Sequence, residues 1–386
     1  MRCTLQICDE LKDLRVVLVH DWLTGMRGGE KVLEVFCRLF PKAPLYTLVH
    51  IKGSVSKTIE DRPIHTSFID RLPLAHSHYR YYLPLFPLAA GMLKLPPCDL
   101  VLSSSHCVAK GVKVPTGAAH AAYVHTPMRY VWDMYDDYFG KDKGGLASKI
   151  MPFVRPHLQR WDVGSNDQVD FFWANSKHVA KRIKRHYARD SIVINPPVEA
   201  GRFTPQAGET DYYLVLSALV PYKRVDLAVA ACSRSGRRLK VVGKGPDLER
   251  LKSLAGPTVE FLGWQPDEDL PGLYAGAKAL LFPGEEDFGI TPLESMASGV
   301  PVVAYGKGGA LETVIPPEAS DKSFATGVFF AEQNVDSLLG ALDRLESQPE
   351  LFEKEAMVKH AQAFDTEAFA QRIAEAVLKV CEIKFK

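Results

Sequence analysis

Short apolar runs alternate with longer stretches in which apolar residues recur at helical spacing. In the first half of the chain the apolar runs lie at residues 15–20, 44–49, 99–103, 121–124 and 171–174. Continuous apolar runs of this kind are typical of strands buried on both faces of a parallel sheet. Their alternation with helical stretches predicts an α/β fold with a doubly wound parallel sheet.

The alternation is interrupted at two adjacent prolines, Pro196 and Pro197, and then restarts. Adjacent prolines favour a stiff, extended link because each fixes φ and restricts the residue before it. Beyond the link we predict strands at 213–216, 239–242, 259–262 and 279–282, with helices at 225–235, 247–254 and 267–276. The pattern therefore predicts two Rossmann-like domains, residues 1–197 and 198–364, followed by an amphipathic helix within residues 365–386.

Residues 279–304 read as strand, loop, helix and strand. We expect Thr291 to cap the helix, Pro292 to occupy its first position and Gly299 to end it. The loop then brings Glu286 and free backbone N–H groups to a helix N-terminus at the carboxyl edge of a sheet, where α/β folds bind anions. Glu294 completes a Thr-x-x-Glu capping box with Thr291, which is a structural explanation for this carboxylate.

Two other strand-to-helix segments carry groups suited to a phosphate. Gly28 and Gly29 lie between the strand at 15–20 and a helix predicted from residue 31, where they form either a phosphate loop or a tight turn. Lys223 and Arg224 directly precede the helix at 225–235, where the helix dipole disfavours cations by roughly 0.3–1 kcal/mol. An anionic ligand would offset that cost, and the alternative is an ordinary exposed pair.

The region from residue 279 to 304 resembles the donor-binding segment of the retaining GT-B glycosyltransferases of family 4. The resemblance rests on Glu286 and Glu294, on Phe288-Gly289, and on the Gly-Val-Pro-Val-Val exit from the helix. The run at residues 123–133, which contains His-Thr-Pro-Met-Arg-Tyr, resembles bacterial mannosyltransferases of this family that build O-antigens and exopolysaccharides. The resemblance implies two domains facing each other across a cleft, with the terminal helix crossing back to the first domain.

The resemblance also implies roles for individual residues. Catalytic roles fall to Glu286, facing the sugar ring, and His125, near the transferred sugar. A lone histidine at the end of a strand is otherwise more often a structural residue. Donor binding falls to Gly28, Gly29, Lys223, Arg224, Phe288, Gly289, Ile290, Thr291 and Glu294. The family motif usually carries an arginine where this chain has Ala218, so Arg224 or Arg27 supplies the second cation or the phosphates are held more weakly.

The implied function is transfer of mannose from GDP-mannose, with retention, to a glycan or polyprenyl-linked acceptor in surface polysaccharide synthesis. Three alternatives are open. In the first, the donor is UDP-glucose or UDP-galactose instead of GDP-mannose. In the second, the chain binds a sugar nucleotide without catalysis, which the replacement of the usual arginine by Ala218 favours. A nicotinamide-dependent oxidoreductase is the third, but it requires a Gly-x-Gly-x-x-Gly motif, which the chain lacks. No metal or cofactor is expected, on the argument that the chain carries no Asp-x-Asp to bridge a metal to the diphosphate, an argument that is corrected below.

The composition of the chain limits the kinds of partner and the compartment that we expect. The formal net charge is +1, so no overall field argues for nucleic acid. Seven scattered cysteines, without a Cys-x-x-Cys pair, favour a reducing cytosol. The basic helix predicted at 177–189 presents its charges most simply as a solvated face, because Val179, Ile183 and Tyr187 recur every four residues.

Residues 76–96 are aromatic and apolar, with no acidic residue among them. One interpretation is an interfacial patch that meets a membrane or a lipid-linked acceptor. The other is an ordinary buried helix with a proline break. The first places the protein in the cytoplasm with peripheral contact to the inner face of the plasma membrane.

Overall fold

The computed structural model describes residues 11–140, 145–206, 211–319 and 324–384. The chain divides into two compact units, the first formed by residues 1–197 with 367–386 and the second by residues 198–366. Residues 1–14, for which the sequence gives no role, lie mostly outside the described residues.

The first unit contains a parallel sheet whose described strands number seven, in the order β3-β2-β1-β4-β5-β6-β7. Strands β3 and β7 were not predicted, because they are short and only partly buried. The strands are β1 Val16–His20, β2 Leu45–Thr47, β3 Ile64–Thr66, β4 Leu100–Ser105, β5 Ala119–Val124, β6 Phe171–Ala174 and β7 Ile192–Val193.

Helices flank this sheet and supply one side of its core. They are α1 Gly28–Leu39, α2 Lys57–Glu60, α3 Ala75–His78, α4 Phe86–Met92, α5 Tyr135–Phe139, α6 Gly145–Gly164 and α7 Lys177–Tyr187. Short 3-10 turns link several of them, including Tyr79–Leu85 between α3 and α4.

The second unit repeats the design with six described parallel strands in the order β10-β9-β8-β11-β12-β13. The strands are β8 Tyr212–Leu216, β9 Leu239–Val242, β10 Val259–Gly263, β11 Ala277–Phe282, β12 Val302–Tyr305 and β13 Gly327–Phe330. The helices are α8 Val225–Ser235, α9 Leu248–Leu254, α10 Leu270–Ala275, α11 Ile290–Ala297, α12 Ala310–Thr313, α13 Val335–Ser347 and α14 Lys354–Gln362. The prediction of two doubly wound parallel sheets is confirmed.

The last helix, α15 Thr366–Lys384, packs into the core of the first unit. Its Phe369 ring stacks on Phe36 with centroids 6.1 Å apart and meets the edge of Tyr123 at 5.8 Å. The four apolar positions that mark this helix in the sequence are all buried there: Phe369, Ile373, Val377 and Val380.

Each sheet reverses its strand order at one point. In the first sheet the chain winds outward from β1 through β2 and β3, and then returns to place β4 on the other side of β1. In the second sheet the same reversal separates β8 from β11. Loops leaving the carboxyl ends of two such strands diverge, and the crevice between them is where open α/β sheets bind ligands.

Candidate functional site

Lys223 and Glu286 meet at the point of strand reversal in the second unit. Lys223 ends the 3-10 turn that follows β8, and Glu286 lies in the loop that follows β11. Lys223 Nζ forms an ion pair with Glu286 Oε1, and the two side chains are only 17% and 19% exposed. Two residues selected independently from the sequence are therefore in direct contact, although 63 positions separate them.

The helix after this loop begins earlier than expected. The cap of α11 is Gly289, at φ +89°, and Ile290 and Thr291 are its first two residues. The prediction that Thr291 caps the helix with Pro292 in its first position is wrong. A positive φ favours glycine, so the turn at Gly289 fixes where the helix can start. The N–H groups of Ile290 and Thr291 stand in the first turn, where no intrahelical partner is available.

Glu294 is held by the core rather than by a cap. Because Thr291 lies inside the helix, the predicted capping box with Glu294 is wrong. The Glu294 carboxylate instead accepts a hydrogen bond of 2.8 Å from the Tyr274 hydroxyl. Burial raises the pKa of Glu294, although Tyr274 and Arg202 act in the opposite direction. The carboxyl group is therefore partly desolvated and oriented, as recognition of a polar ligand group requires.

Phe288 contributes to the site through its backbone, because its side chain is 3% exposed and belongs to the core. Its position is set by a second glycine loop that the sequence analysis missed. The Gly309 N–H donates to the Glu286 carbonyl at 2.8 Å, and a Cβ at position 309 would overlap the Phe288 backbone. The available signal was the Gly-x-Gly-Gly run at 306–309, directly after β12.

Arg224 lies beside Lys223 but has other partners. Its backbone adopts φ +52°, and it immediately precedes α8. Its guanidinium contacts the Asp226 carboxylate at 3.3 Å and the Gln333 side chain at 3.3 Å. Asp226, in the first turn of the helix, thus offsets the charge that the helix dipole disfavours. Lys223 is the cation that faces Glu286.

The loops that follow β9 and β10 are joined by a backbone hydrogen bond. The Gly243 N–H, after β9, donates to the Gly263 carbonyl, at the end of β10, at 2.7 Å. Trp264 next to this contact is 61% exposed, and Lys244 lies 5.3 Å from the centre of its ring. An exposed indole beside glycine loops offers a flat surface on which a base can stack.

His125 occupies the corresponding edge of the first unit. Ser104, on β4, bridges two histidines: its Oγ lies 2.8 Å from His125 Nε2 and 3.1 Å from His20 Nδ1. His20 Nε2 in turn lies 3.7 Å from Glu30 Oε1. Of these residues the sequence singled out only His125, since a serine or histidine at a strand end has no distinctive spacing.

The glycine pair lies against this network. Gly28 and Gly29 are the first two residues of α1, so the prediction of a loop before a helix starting at residue 31 is wrong. The Glu30 carboxylate accepts the Arg27 N–H at 3.0 Å, which stabilises this early start. A Cβ at position 29 would lie 3.5 Å from His20 and 3.7 Å from His125. The structure therefore brings Gly29 and His125 together.

Asp21 holds the two loops of this edge in place. Its carboxylate is fully buried and accepts the backbone N–H groups of residues 106–109 at 2.6–2.9 Å. His106 Nδ1 lies 3.0 Å from the same carboxylate. Burial alone would raise the pKa of Asp21, but His106 and these hydrogen bonds bring it well below its usual range. An ionised Asp21 thus fixes the loop after β4 against β1.

The basic helix α7 is only partly a solvated face. Arg182 is 7% exposed and donates to Asp133 at 2.7 Å and to Thr126 at 2.5 Å. Hydrogen bonding from His186, together with Arg182, holds the pKa of Asp133 well below its usual range. This contact ties the segment after His125 to α7.

The expectation of a metal-free site loses its sequence argument. The chain does contain one Asp-x-Asp, at Asp267 and Asp269, just before α10. Both aspartates are exposed, and Asp267 lies 3.7 Å from Arg202. Within the described ranges no group of three or more histidine, cysteine, aspartate or glutamate side chains is arranged to hold a metal ion.

Comparison with known proteins identifies the second unit. Residues 199–364 match the model of the family described as glycosyl transferases group 1. This matched part of the chain contains Lys223, Glu286 and Glu294.

Two curated relatives extend the comparison. The chain is 29% identical over 232 residues to the GDP-mannose-dependent alpha-(1-6)-phosphatidylinositol monomannoside mannosyltransferase of Mycolicibacterium smegmatis, covering 52% of this chain and 58% of that protein. It is 30% identical over 251 residues to the GDP-mannose-dependent monoacylated alpha-(1-6)-phosphatidylinositol monomannoside mannosyltransferase of Corynebacterium glutamicum, covering 54% and 64%. The matches thus span less than two thirds of each relative.

Solved structures support the fold. The crystal structure of Anabaena HepE in complex with UDP has a TM-score of 0.68 and 15% identity, covering 95% of this chain and all of that one. At this identity the likeness concerns architecture, and the GT-B fold class predicted from the sequence is confirmed. Among the described helices none is both long and apolar enough to cross a membrane.

Proposed function

We propose that this protein transfers mannose from GDP-mannose, with retention of configuration, to a lipid-linked or oligosaccharide acceptor in surface polysaccharide synthesis. The observation that carries the proposal is the contact of Lys223 with Glu286 at the strand reversal of a group 1 glycosyltransferase domain. The choice of GDP-mannose is supported by relatives whose names specify that donor. The acceptor class and a location at the cytoplasmic side of a membrane are part of the proposal.

The second unit is proposed to bind the leaving diphosphate. Lys223 supplies a positive charge, and the N–H groups of Ile290 and Thr291 supply the donors of a helix N-terminus. Such preorganised groups favour the transition state because negative charge develops on the departing oxygen. Since Lys223 contacts Glu286, a diphosphate bound by Lys223 places its sugar beside the Glu286 carboxylate.

In the proposed reaction the bond between the anomeric carbon and the β-phosphate oxygen breaks, and its electron pair leaves with the diphosphate. The acceptor hydroxyl oxygen forms the new bond on the same face of the sugar. Its proton passes to the departing phosphate oxygen. Glu286 stabilises the oxocarbenium-like ring by its negative charge, and Glu294 orients the donor through a ribose hydroxyl.

The first unit is proposed to contribute His125 to recognition of the transferred sugar. Ser104 holds one ring nitrogen of His125, so the orientation of the imidazole is fixed before a ligand arrives. Gly29 offers its backbone beside the same ring. A fixed imidazole beside a glycine backbone suits hydrogen bonding to sugar hydroxyls.

Donor hydrolysis with identification of the released sugar tests this proposal. The purified protein is incubated separately with GDP-mannose, UDP-glucose and UDP-galactose, and the anomeric configuration of the first-formed product is followed by NMR. We expect release of α-mannose from GDP-mannose. Faster turnover of a UDP-sugar would favour the alternative donor over GDP-mannose. Inversion of the anomeric configuration would overturn the retaining mechanism.

Nucleotide binding is measured in parallel by thermal stabilisation with GDP, UDP and NAD. Stabilisation by GDP without turnover of any donor, with or without a lipid extract as acceptor, would favour a non-catalytic sugar-nucleotide binder. Stabilisation by NAD alone would overturn the assignment altogether.

A further inference from the structure

One stretch of the first unit contains no acidic residue. No aspartate or glutamate occurs from residue 71 to residue 98, whereas the chain as a whole contains 46 of them. The same stretch contains three exposed cations, Arg71, Arg80 and Lys94. In a chain of formal net charge +1 this is a local concentration of positive charge.

The same stretch exposes apolar side chains. Segment 74–92, which comprises α3, the following 3-10 turn and α4, buries one face and leaves the other open. Tyr79, Leu83 and Phe86 are buried in a core cluster with Trp22. The exposed set has fractional exposures of 39–75%: Leu74, Tyr81, Leu85, Leu88 and Met92. The structure therefore combines the two interpretations of residues 76–96, with one buried face and one apolar face in solvent.

A cavity opens at the basic end of this segment. It has a volume of about 400 Å³ and lies between the loop after β1, at Thr24 and Arg27, and residues 76–81. The arginines and histidines that line it are Arg27, His76, His78 and Arg80. His76 is paired with Asp70 at 3.2 Å, whereas neither arginine forms an ion pair with any described residue.

The cavity adjoins the edge that carries His125. Trp22 packs against Tyr79, with ring centroids 5.1 Å apart, and against the His106 ring at 4.4 Å. Arg27 caps α1, and Gly29, two residues further on, lies against His125. Two residues of chain span at most about 7 Å, so a group bound at Arg27 is within reach of a sugar at His125.

We propose that this cavity binds the phosphate of a lipid-anchored acceptor and that the exposed face of segment 74–92 contacts the hydrocarbon surface around it. Two arginines without carboxylate partners suit a phosphate, because the guanidinium matches its oxygens in pairs. The neighbouring apolar residues suit the chain to which that phosphate is attached, and the missing acids avoid repulsion from an anionic bilayer. The assignment of this lipid as the acceptor rests on the proposed function.

Vesicle flotation with the full chain tests the site. Three vesicle types are compared: phosphatidylcholine alone, phosphatidylcholine with phosphatidylglycerol, and phosphatidylcholine with oleate at the same surface charge. We expect binding to the phosphatidylglycerol vesicles and at least tenfold weaker binding to the other two. Equal binding to oleate vesicles would overturn phosphate recognition, since oleate carries charge without phosphate.

Variants separate the cavity from general charge and from the apolar face. Arg80→Gln should weaken binding to phosphatidylglycerol vesicles by more than tenfold. The matched control Arg71→Gln removes a charge from the same stretch outside the cavity, and should weaken it by at most about fivefold. Equal losses of vesicle binding in the two variants would contradict the assignment of the cavity as the phosphate-binding site. Leu88→Ser together with Met92→Ser should also weaken vesicle binding by more than tenfold.

Soluble glycerol phosphate distinguishes a lipid from a free phosphate ester. If it displaces the protein from vesicles at micromolar concentration while the Leu88 and Met92 variants bind normally, the ligand is a soluble phosphate and the lipid proposal is wrong. GDP-dependent thermal stabilisation is recorded for every variant. If GDP does not stabilise the wild-type protein while vesicle binding is intact, the proposed function alone is contradicted. If GDP stabilises the protein but the protein does not bind vesicles, only this inference is contradicted.

Discussion

The two units place polar groups at the same topological position but use different chemistry there. In the first unit the strand reversal carries a network of neutral or titratable groups, His20, Ser104 and His125, supported by the buried Asp21 and Glu30. In the second unit it carries an ion pair, Lys223 with Glu286, at the start of α11. All but one of the 12 histidines in the sequence lie in the first unit, the exception being His360.

This difference fits the two roles proposed above, which are binding of a diphosphate in the second unit and recognition of a sugar in the first. The Lys223 ammonium suits a charged diphosphate, whose binding it favours by Coulomb attraction, and the Glu286 carboxylate suits the positive charge that develops on the sugar. Groups fixed by short hydrogen bonds suit recognition of sugar hydroxyls, which need direction more than charge. We therefore expect substitutions in the second unit to affect donor chemistry and those in the first to affect sugar recognition and acid stability.

The largest expected effect is at Glu286. Glu286→Ala should lower the rate of mannose transfer by about 10³-fold, or about 4 kcal/mol, while GDP binding is kept. The matched control is Glu285→Ala, which removes an exposed carboxylate from the same loop and should stay within about threefold of the wild-type rate. Initial rates with GDP-mannose and thermal shifts with GDP check both. A wild-type rate in Glu286→Ala would contradict the assignment of donor chemistry to the second unit.

The next effect is an acid sensitivity of the first unit. Burial lowers the pKa of His120 from 6.5 to about 4, despite its hydrogen bond to the Gln168 carbonyl. The unfolded imidazole takes up a proton below pH 6.5, whereas the folded one stays neutral to about pH 4. The stabilisation is therefore complete above pH 6.5 and is lost as pH falls towards 4, by about 3 kcal/mol in total.

Urea unfolding at pH 7 and pH 4.5, followed by tryptophan fluorescence, measures this loss. Of the five tryptophans only Trp264 belongs to the second unit, so the signal reports mainly the first. His120→Asn should flatten the pH dependence. If the variant unfolds with the same pH profile as the wild type, another group is responsible.

A smaller effect is expected at Gly309. Gly309→Ala puts a methyl group into the Phe288 backbone, so the loop that carries Glu286 must shift. We expect donor KM to rise by about 10- to 100-fold, since overpacking costs roughly 1–3 kcal/mol. Gly340→Ala is the control, because a Cβ there meets no atom within 4 Å. An unchanged KM in Gly309→Ala would show that the contact does not position the donor loop.

The smallest effect compares two adjacent serines on β4. Ser104→Ala removes the hydrogen bond between Ser104 and the His125 ring, and should reduce transfer about tenfold without changing the GDP-induced thermal shift. Ser103 makes the equivalent contact with His120, 2.8 Å from Nε2. Ser103→Ala should lower stability by about 1 kcal/mol and leave transfer unchanged. Equal activity losses in the two variants would point to a disturbance of the sheet rather than a role for His125.

Much of the fold could be predicted, because most of the buried strands are continuous apolar runs, although the buried strand β13 was not predicted. Helix α8 and strands β6 and β9 begin and end at the predicted residues. Helix starts were less accurate. At Gly28 and Gly289 the chain enters a helix at a glycine, whereas propensity places the start two or three residues later. There the hydrogen bonds of neighbouring loops outweigh local preference.

The candidate site was predicted in part, for the same reason. Glu286, Lys223, His125 and Gly29 stand in motifs whose residue types and spacing are distinctive. Ser104 and Asp21 do not, because a serine ending an apolar strand or an aspartate after one has many structural explanations. Their roles depend on contacts with residues more than 80 positions away, at His20 and at residues 106–109.

The sequence by itself determined that there are two parallel sheets, where the link between them lies, and which residue types stand at the strand ends. These follow from local patterns, since burial on both faces demands apolar runs and turns demand glycine or proline. Only the tertiary structure decided that Lys223 contacts Glu286, that Ser104 joins His20 to His125, and that segment 74–92 keeps one apolar face in solvent. Strand order brings distant loops together, and no local pattern encodes that order.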